Sequence, residues 1–206
     1  MRLPRLPGAR PARTAQAPDR EAGDREVRAA WQSATRLRTP PGPPGGRLRR
    51  LVEHTLTIDI EAPARRVFEV YADVRNHMGA HSFLQRLVMH AEAAQQDVRT
   101  VDFTAFEAVP VAGVRVSTAV HVRQRIDHRN LTYETVTWSS PAVMTRQKVV
   151  VTALDDGRTR VDETLAFEAN LLLARFAATR GTAAHLATHH HLKTAIETGR
   201  FADADR

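Results

Sequence analysis

Alternating apolar and polar residues extend over most of the chain between residues 85 and 168. Alternation with a period of two is typical of strands with one buried face, and six such stretches occur, at 85–92, 98–106, 114–126, 131–138, 143–154 and 158–168. The segments 127–130 and 155–157 are typical of tight hairpin turns. Because hairpins join antiparallel neighbours, the pattern predicts a large antiparallel sheet.

A further strand and three helical segments flank this region. The stretch LVEHTLTIDI, residues 51–60, alternates in the same way, and two short helices are predicted after it within EAPARRVFEVYADV and NHMGAHSFL. Asn170 is placed to cap a long helix that runs to about Arg200, with a kink at Gly181. Since a sheet with one apolar face needs a cover, we predict an α+β domain whose curved seven-stranded antiparallel sheet wraps around the C-terminal helix and encloses a cavity.

The first 50 residues differ in composition from the rest of the chain. They contain 12 arginines, 4 acidic residues and 8 of the 11 prolines, whereas the remainder carries 18 basic and 19 acidic side chains. Too few apolar residues are present to offset the entropy of ordering such a segment. We therefore predict a disordered Arg/Pro-rich tail over 1–48, a folded domain over 49–201 and a disordered terminus over 202–206. A short helix that docks through Trp31 and a basic arm for anionic surfaces are the alternatives for the tail.

The charge distribution also limits the classes of partner. The first 50 residues carry a net charge of +8, whereas the rest of the chain carries −1 and is nearly neutral, so nucleic acid is not the expected partner of the folded domain. No apolar stretch is long enough for a secretory signal or a membrane span, which favours a cytoplasmic location. The absence of cysteine excludes disulfides and thiolate metal sites.

Two longer segments resemble a known superfamily. HTLTIDIEAPARRVFEVYADVRNHMGAH carries an Ala-Pro after a strand, a Val-Phe pair that opens a helix and an Asp-Val that follows it. LTYETVTWSSPAVMTRQKVVVTALDDGRTRVDETLAFEANL carries a Gly-x-Thr-x-Val turn and a strand that ends in Phe-Glu. Over residues 51–201 the chain resembles the START/Bet v 1-like (SRPBCC) superfamily, in particular its polyketide cyclase/dehydrase-like members. The resemblance implies a helix-grip fold with a hydrophobic ligand in the cavity, as in aromatase/cyclases and in coenzyme Q- and lipid-binding proteins.

Glu163 is the first candidate for acid–base chemistry. It shares the apolar face of its predicted strand with Val161, Leu165 and Phe167. Burial among apolar neighbours would raise the pKa of a carboxyl group and suit it to proton transfer. The alternative is a carboxylate at the sheet edge that reaches solvent or pairs with an arginine.

The segment HLATHHHL, residues 185–192, holds four histidines. At helical spacing, two of them share the apolar face with two aliphatic residues, namely His185, His189, Leu192 and Ile196. We therefore predict that His185 and His189 act with Glu163 as catalytic groups; the alternative is that they form hydrogen-bonded cavity lining. Their i, i+4 spacing also suits Zn²⁺, but no acidic ligand stands nearby in the sequence, and we predict no metal site.

Other side chains are predicted to contact the ligand because they lie on strand or helix faces that are expected to border the cavity: His54, Phe103, Tyr133, Trp138, Arg146, Phe167, Leu192 and Ile196. Tyr133 and Trp138 fall on opposite faces of one strand, so at most one of them lines the cavity. Arg146 points outward if the alternation is strict, and His54 is alternatively a structural residue.

Two hypotheses about function, from different classes, remain open. The first is a polyketide cyclase- or dehydratase-like domain that performs acid–base chemistry on a bound hydrophobic molecule. The second is a non-catalytic carrier for a lipid or quinone-like ligand. Convergence of Glu163, His54 and the helix histidines would favour catalysis, whereas an apolar lining would favour the carrier. We predict no cofactor, a hydrophobic small-molecule partner and a monomer or homodimer.

Overall fold

The computed structural model describes residues 17–36, 49–111, 113–139 and 143–201. Within these ranges the helices are α1 (Ala17–Arg36), α2 (Ala64–Ala72) and α3 (Leu171–Glu197), with a short 3-10 helix at Val74–His77. The strands are β1 (Arg49–Ile60), β2 (Leu84–Gln95), β3 (Val98–Val111), β4 (Val114–Asp127), β5 (Thr132–Ser139), β6 (Val143–Ala153) and β7 (Thr159–Asn170).

All seven strands belong to one sheet in the order β1-β7-β6-β5-β4-β3-β2, and every neighbouring pair is antiparallel. Strands β2 to β7 form a meander, and β1 pairs with β7 along its whole length. Helix α3 packs against β1, β7 and β6 on the inner face. This arrangement confirms the predicted helix-grip fold.

The space between α3 and the sheet is filled at one end and open at the other. Helix α2 and the last turns of α3 fill one end with large buried side chains, Phe68, Tyr71, Leu192 and Ile196. The first half of α3 instead buries three alanines, Ala174, Ala178 and Ala184. Because such small side chains do not reach across to the strands, a cavity remains under this half of the helix.

Helix α3 continues without a break through Gly181, where the sequence predicted a kink. The glycine instead permits a close approach to β7, since a Cβ at this position would lie 2.5 Å from Cε1 of Phe167. At the start of the helix the side chain of Asn170 accepts a hydrogen bond of 2.9 Å from the backbone N–H of Leu173, as expected for an N-cap.

Helix α1 lies on the outer face of the sheet, against β2, β3 and β4. Its anchor is Trp31, which is 7% exposed and whose Nε1 donates a hydrogen bond of 3.1 Å to the carbonyl of Val122. The centroid of the indole ring lies 5.6 Å from that of the His90 ring, and Cζ of the Arg123 guanidinium lies 5.3 Å from the indole centroid. The structure thus places residues 17–36, part of the predicted Arg/Pro-rich tail, in a helix that docks through Trp31, which is one of the alternatives that the sequence left open. The rest of the predicted tails, 1–16, 37–48 and 202–206, lies outside the described residues.

Trp31→Ala should release α1 from the sheet. The substitution removes both the indole hydrogen bond and the packing that hold the helix, so local opening becomes more frequent. Limited digestion with trypsin reports this opening, and cleavage after Arg25 and Arg28 should be faster than in the wild type. Ser33→Ala alters an exposed residue of the same helix and should leave the rate unchanged. Equal cleavage in all three proteins would show that Trp31 does not hold α1.

Candidate functional site

A cavity of about 550 Å³ lies between the first half of α3 and the inner face of β3 to β7. This volume is within the range of sites for small organic ligands. Much of the wall is apolar, with contributions from Val109, Val111, Val116, Val120, Val143, Phe167, Leu173 and Phe176. The ionisable side chains among the described lining residues are His81, Glu107, Arg180 and His185.

Glu163 is the centre of a polar cluster behind this wall. It projects from β7 and is 1% exposed. His185 Nδ1 donates to its Oε1 at 2.9 Å, and His189 Nε2 donates to its Oε2 at 2.7 Å. Gln147 of β6 donates a further hydrogen bond to Oε1 through Nε2. The buried carboxylate is therefore surrounded by donors, as a buried charge requires.

The cluster continues from His189 into α2. His189 is 4% exposed, and its Nδ1 lies 3.1 Å from the hydroxyl of the buried Tyr71. With His189 Nε2–H donating to Glu163, the Tyr71 hydroxyl donates to Nδ1. Burial and, secondarily, the charge of Glu163 raise the pKa of Tyr71, so the phenol keeps its proton. A continuous line of hydrogen bonds thus runs from Tyr71 through His189 and Glu163 to His185, at the cavity wall.

His185 and Glu163 form an ion pair. Burial alone would raise the pKa of Glu163, but the charge and hydrogen bond of His185, together with His189, hold it well below its ordinary value. For His185 burial acts to lower the pKa, whereas the negative charge and hydrogen bond of Glu163 raise it above the ordinary value, with a smaller contribution from Glu107. The arrangement favours an imidazolium beside a carboxylate, with Nε2 of His185 making no hydrogen bond to any other described residue.

Glu107 is a cavity residue that the sequence analysis did not single out. It lies on the inner face of β3, where it pairs with Thr118 of β4, another lining residue. Burial raises the pKa of Glu107, and the charge of His185 opposes this rise. The signal was present in the sequence, because Glu107 alternates in register with Phe103, Ala105 and Val109.

His81 is a second such residue, in the loop before β2. Its ring is 5.6 Å from that of His185 and nearly perpendicular to it, and its Nδ1 is buried without a hydrogen-bond partner among the described residues. Burial, followed by the charges of His185 and His77, lowers the pKa of His81 to about 3, so this imidazole is neutral. No periodic pattern predicts the direction of a loop side chain, and the sequence offered no signal for it.

The structure brings together Glu163, His185 and His189 among the predicted site residues, and it places Phe167 and His185 in the cavity wall. Four other predicted ligand contacts lie on the inner side but are packed in the hydrophobic core away from the cavity lining: Phe103, Tyr133, Leu192 and Ile196. They are excluded from the lining because α2 fills that end of the sheet with Phe68 and Tyr71.

Three predicted ligand contacts require correction. Trp138 lies on the outer face, because its strand neighbours Thr137 and Ser139 are the ones that line the cavity. Arg146 likewise alternates with the lining residues on either side of it and points away from the cavity. His54 is exposed on β1, an edge strand, and does not border the cavity. Strict strand alternation accounts for the first two, and the edge position accounts for the third.

The ion pair predicts a pH dependence of stability. The pKa of His185 in the folded protein is raised above 6.5. Its contribution to the free energy of unfolding is therefore complete below pH 6.5 and is lost as the pH rises through that folded-state pKa. The pKa of Glu163 is lowered below 4.5, so its contribution is present above pH 4.5 and is lost as the pH falls through the folded pKa. The stability difference between wild type and Glu163→Gln should therefore be largest between these two values. Urea unfolding across the pH range measures it.

The comparison with Glu163→Gln separates this effect from other titrating groups. His77 and His81 also have lowered pKa values and cost stability as the pH falls below 6.5, and Glu107 titrates in the same cavity. These groups are present in both proteins, so most of their contribution cancels in the difference. A difference that does not vary with pH would contradict the ion pair.

No group of three or more His, Asp or Glu side chains in the described ranges is arranged to hold a metal ion, and both helix histidines of the cluster are directed to Glu163. In the same ranges, no helix combines the length and apolar character needed to cross a bilayer.

The seven-stranded sheet, the long helix that it grips and the cavity between them together define a helix-grip domain. The chain belongs to the family described as polyketide cyclase/dehydrase and lipid transport, whose model matches residues 51–197. A search of curated proteins finds no match.

Solved structures with the same fold include the protein TTHA0849 from Thermus thermophilus, with 16% identity, a TM-score of 0.57, and coverage of 72% of this chain and 99% of that chain. The aromatase/cyclase Zhui from Streptomyces sp. R1128 is similar at 20% identity and a TM-score of 0.56, over 76% of this chain and 98% of that chain. The di-domain aromatase/cyclase StfQ of the steffimycin pathway is similar at 16% identity and a TM-score of 0.53, over 71% of this chain but 46% of that longer chain. At these identities the likeness establishes the fold alone.

Proposed function

We propose that the chain binds a hydrophobic carbonyl compound in the cavity and performs cyclase- or dehydratase-type acid–base chemistry on it. The main support is the line of hydrogen bonds that ends at His185 on an otherwise largely apolar wall. Burying a charged pair costs several kcal/mol in desolvation. A passive apolar container needs no such pair, whereas a site that moves protons does.

Two ionisable residues of the cavity lining, His185 and Glu107, have complementary roles in this proposal. The imidazolium of His185 donates from Nε2 to the carbonyl oxygen of the ligand and stabilises the negative charge that develops there. The carboxylate of Glu107, made more basic by its burial, removes a proton from the adjacent carbon. The C–H bond breaks, the proton moves to Glu107, and the electron pair passes into the enolate.

The enolate then has two outcomes. In a cyclase its carbon attacks a second carbonyl group of the same ligand: the carbon–carbon ring bond forms, the π bond of that carbonyl breaks, and the resulting alkoxide takes the proton held by Glu107. In a dehydratase it expels a β-hydroxyl group, which leaves as water with a proton from His185. Glu163 and His189 do not touch the ligand in either case; they hold His185 in its charged form and in one orientation.

A non-catalytic carrier for a lipid or quinone-like ligand is the second candidate. The observation in its favour is the predominance of apolar side chains in the wall. A carrier would retain its ligand by burial alone and would exchange no protons with it.

Two experiments distinguish the candidates. Native mass spectrometry of the full chain purified from its source identifies a co-purified ligand and hence its chemical class. Deuterium exchange at the carbon between the carbonyl groups of an aryl β-diketone, followed by NMR in deuterated water, reports enolisation. If the protein accelerates this exchange above the rate in buffer alone, and the acceleration saturates with diketone concentration, the result supports catalysis. Saturable binding of the β-diketone with exchange at the buffer rate supports the carrier and overturns the proposal.

A further inference from the structure

Exposed apolar side chains surround the opening of the cavity. They come from the first turns of α3 and from the tip of the β3–β4 hairpin, and we call them the rim: Val114, Val116, Leu171, Leu172 and Phe176. Leu172 is 90% exposed and Val114 is 63% exposed, and three rim residues also line the cavity. Among the described residues, apolar side chains thus continue from the solvent-exposed rim into the cavity, and exposed apolar patches of this kind mark interaction sites.

The charges around the rim have one sign. The hairpin tip and the first turns of α3 also expose three arginines, Arg115, Arg175 and Arg180. Cζ of Arg180 lies 5.9 Å from the centroid of the Phe176 ring. Segments 109–118 and 171–181 contain no acidic residue. Elsewhere in the described ranges many arginines pair with carboxylates, but these three form no salt bridge there. The rim is thus both apolar and cationic, a combination complementary to an anionic lipid surface.

We propose that the rim docks on an anionic lipid bilayer and opens the cavity toward it. Protruding side chains such as Leu172 insert into a fluid bilayer without a matching pocket, whereas a protein partner would need one. A two-fold contact between copies of this chain would place rim arginines opposite rim arginines, which is unfavourable. The docked orientation lets a hydrophobic ligand pass between bilayer and cavity without crossing water, whether or not the cavity also performs acid–base chemistry.

Flotation of the full chain with vesicles tests the proposal. Vesicles of equal parts phosphatidylcholine and phosphatidylglycerol should bind the wild type, and pure phosphatidylcholine should bind it more weakly. Leu172→Glu with Phe176→Glu should weaken binding at least about tenfold, because charges replace the inserted side chains. Leu186→Glu is the matched control, since Leu186 is an exposed leucine farther along α3 and outside the cavity lining; its binding should equal that of the wild type.

A second variant tests the electrostatic part. Arg175→Gln with Arg180→Gln should reduce the preference for anionic over neutral vesicles and leave the remaining apolar binding in place. All variants keep the Arg-rich N-terminal residues, so any contribution from them is common to every comparison. The proposal is overturned if the wild type does not float with anionic vesicles, or if Leu186→Glu loses as much binding as the rim variant. It is also overturned if native mass spectrometry shows a dimer, or a complex with an acidic protein, that the rim variant dissociates.

Discussion

Glu163→Ala should lower the free energy of unfolding by about 3–5 kcal/mol. The substitution removes the carboxylate that accepts hydrogen bonds from Gln147, His185 and His189. All three donors then lie in a poorly solvated space without their acceptor, and the positive charge of His185 loses its counterion. Urea denaturation at neutral pH measures the loss.

Two variants control this result. Glu163→Gln keeps the volume and one acceptor oxygen, so its loss of stability should be smaller than that of Glu163→Ala. Glu53→Ala removes an exposed carboxylate of β1 and should change the stability by no more than about 0.5 kcal/mol. A loss below about 1 kcal/mol for Glu163→Ala would contradict the buried hydrogen-bonded cluster.

His185→Gln should reduce the enolisation rate of the β-diketone by roughly 10²–10⁴-fold. The amide can still contact Glu163, but it carries no charge and cannot transfer a proton to the ligand. Because His185 is only partly buried, the fold should persist, and the circular dichroism spectrum and the affinity for the diketone should change little. The expected effect is therefore on the catalytic rate constant rather than on binding.

His191→Gln is the matched control for this substitution. His191 lies on the same helix, is exposed and has no part in the cluster. The enolisation rate of His191→Gln should therefore equal that of the wild type. If His185→Gln and His191→Gln enolise the diketone equally well, His185 has no catalytic role and the carrier hypothesis gains.

The fold could be predicted from the sequence because the patterns that indicate its strands and turns are local and recur along the chain. Each strand from β2 to β7 was predicted from alternation and turn residues, and the boundaries differ from the observed ones by a few residues. Helical spacing likewise separated the buried His189 from the exposed His190 and His191. Periodicity determines which face a side chain occupies, and this is what brought Glu163 and the two helix histidines together.

Periodicity does not determine how far along a face the cavity extends. Phe103 and Tyr133 occupy the predicted face but belong to the core, because α2 covers that end of the sheet. The cavity instead lies where α3 presents alanines and a glycine, and only the packed structure shows which strands these residues face. The docking of α1 through Trp31 was one alternative left open by the sequence, but the strands that the helix contacts are far away in the chain, and no local pattern identifies them.

The cavity wall and the hydrogen-bonded cluster together suggest how the fold serves its function. Rigid elements hold each group: β7 carries Glu163, α3 carries both histidines, and α2 carries Tyr71. Two described residues, His185 and Gln147, both belong to the cluster and border the cavity, and of these two the imidazole of His185 is the group that can carry a charge. Under the proposed acid–base function, the charge state of this imidazole decides whether the site can act on a ligand.

An NMR titration of the His185 imidazole in isotopically labelled protein measures that charge state directly. The pKa of His185 should lie above 6.5 in the wild type and should fall in Glu163→Gln, where the counterion is absent and burial dominates. Addition of the aryl β-diketone should shift the Nε2 resonance, because in the proposed mechanism this nitrogen donates to the carbonyl oxygen of the ligand. A wild-type pKa at or below 6.5, or an Nε2 resonance unmoved by saturating diketone, would contradict the proposed site.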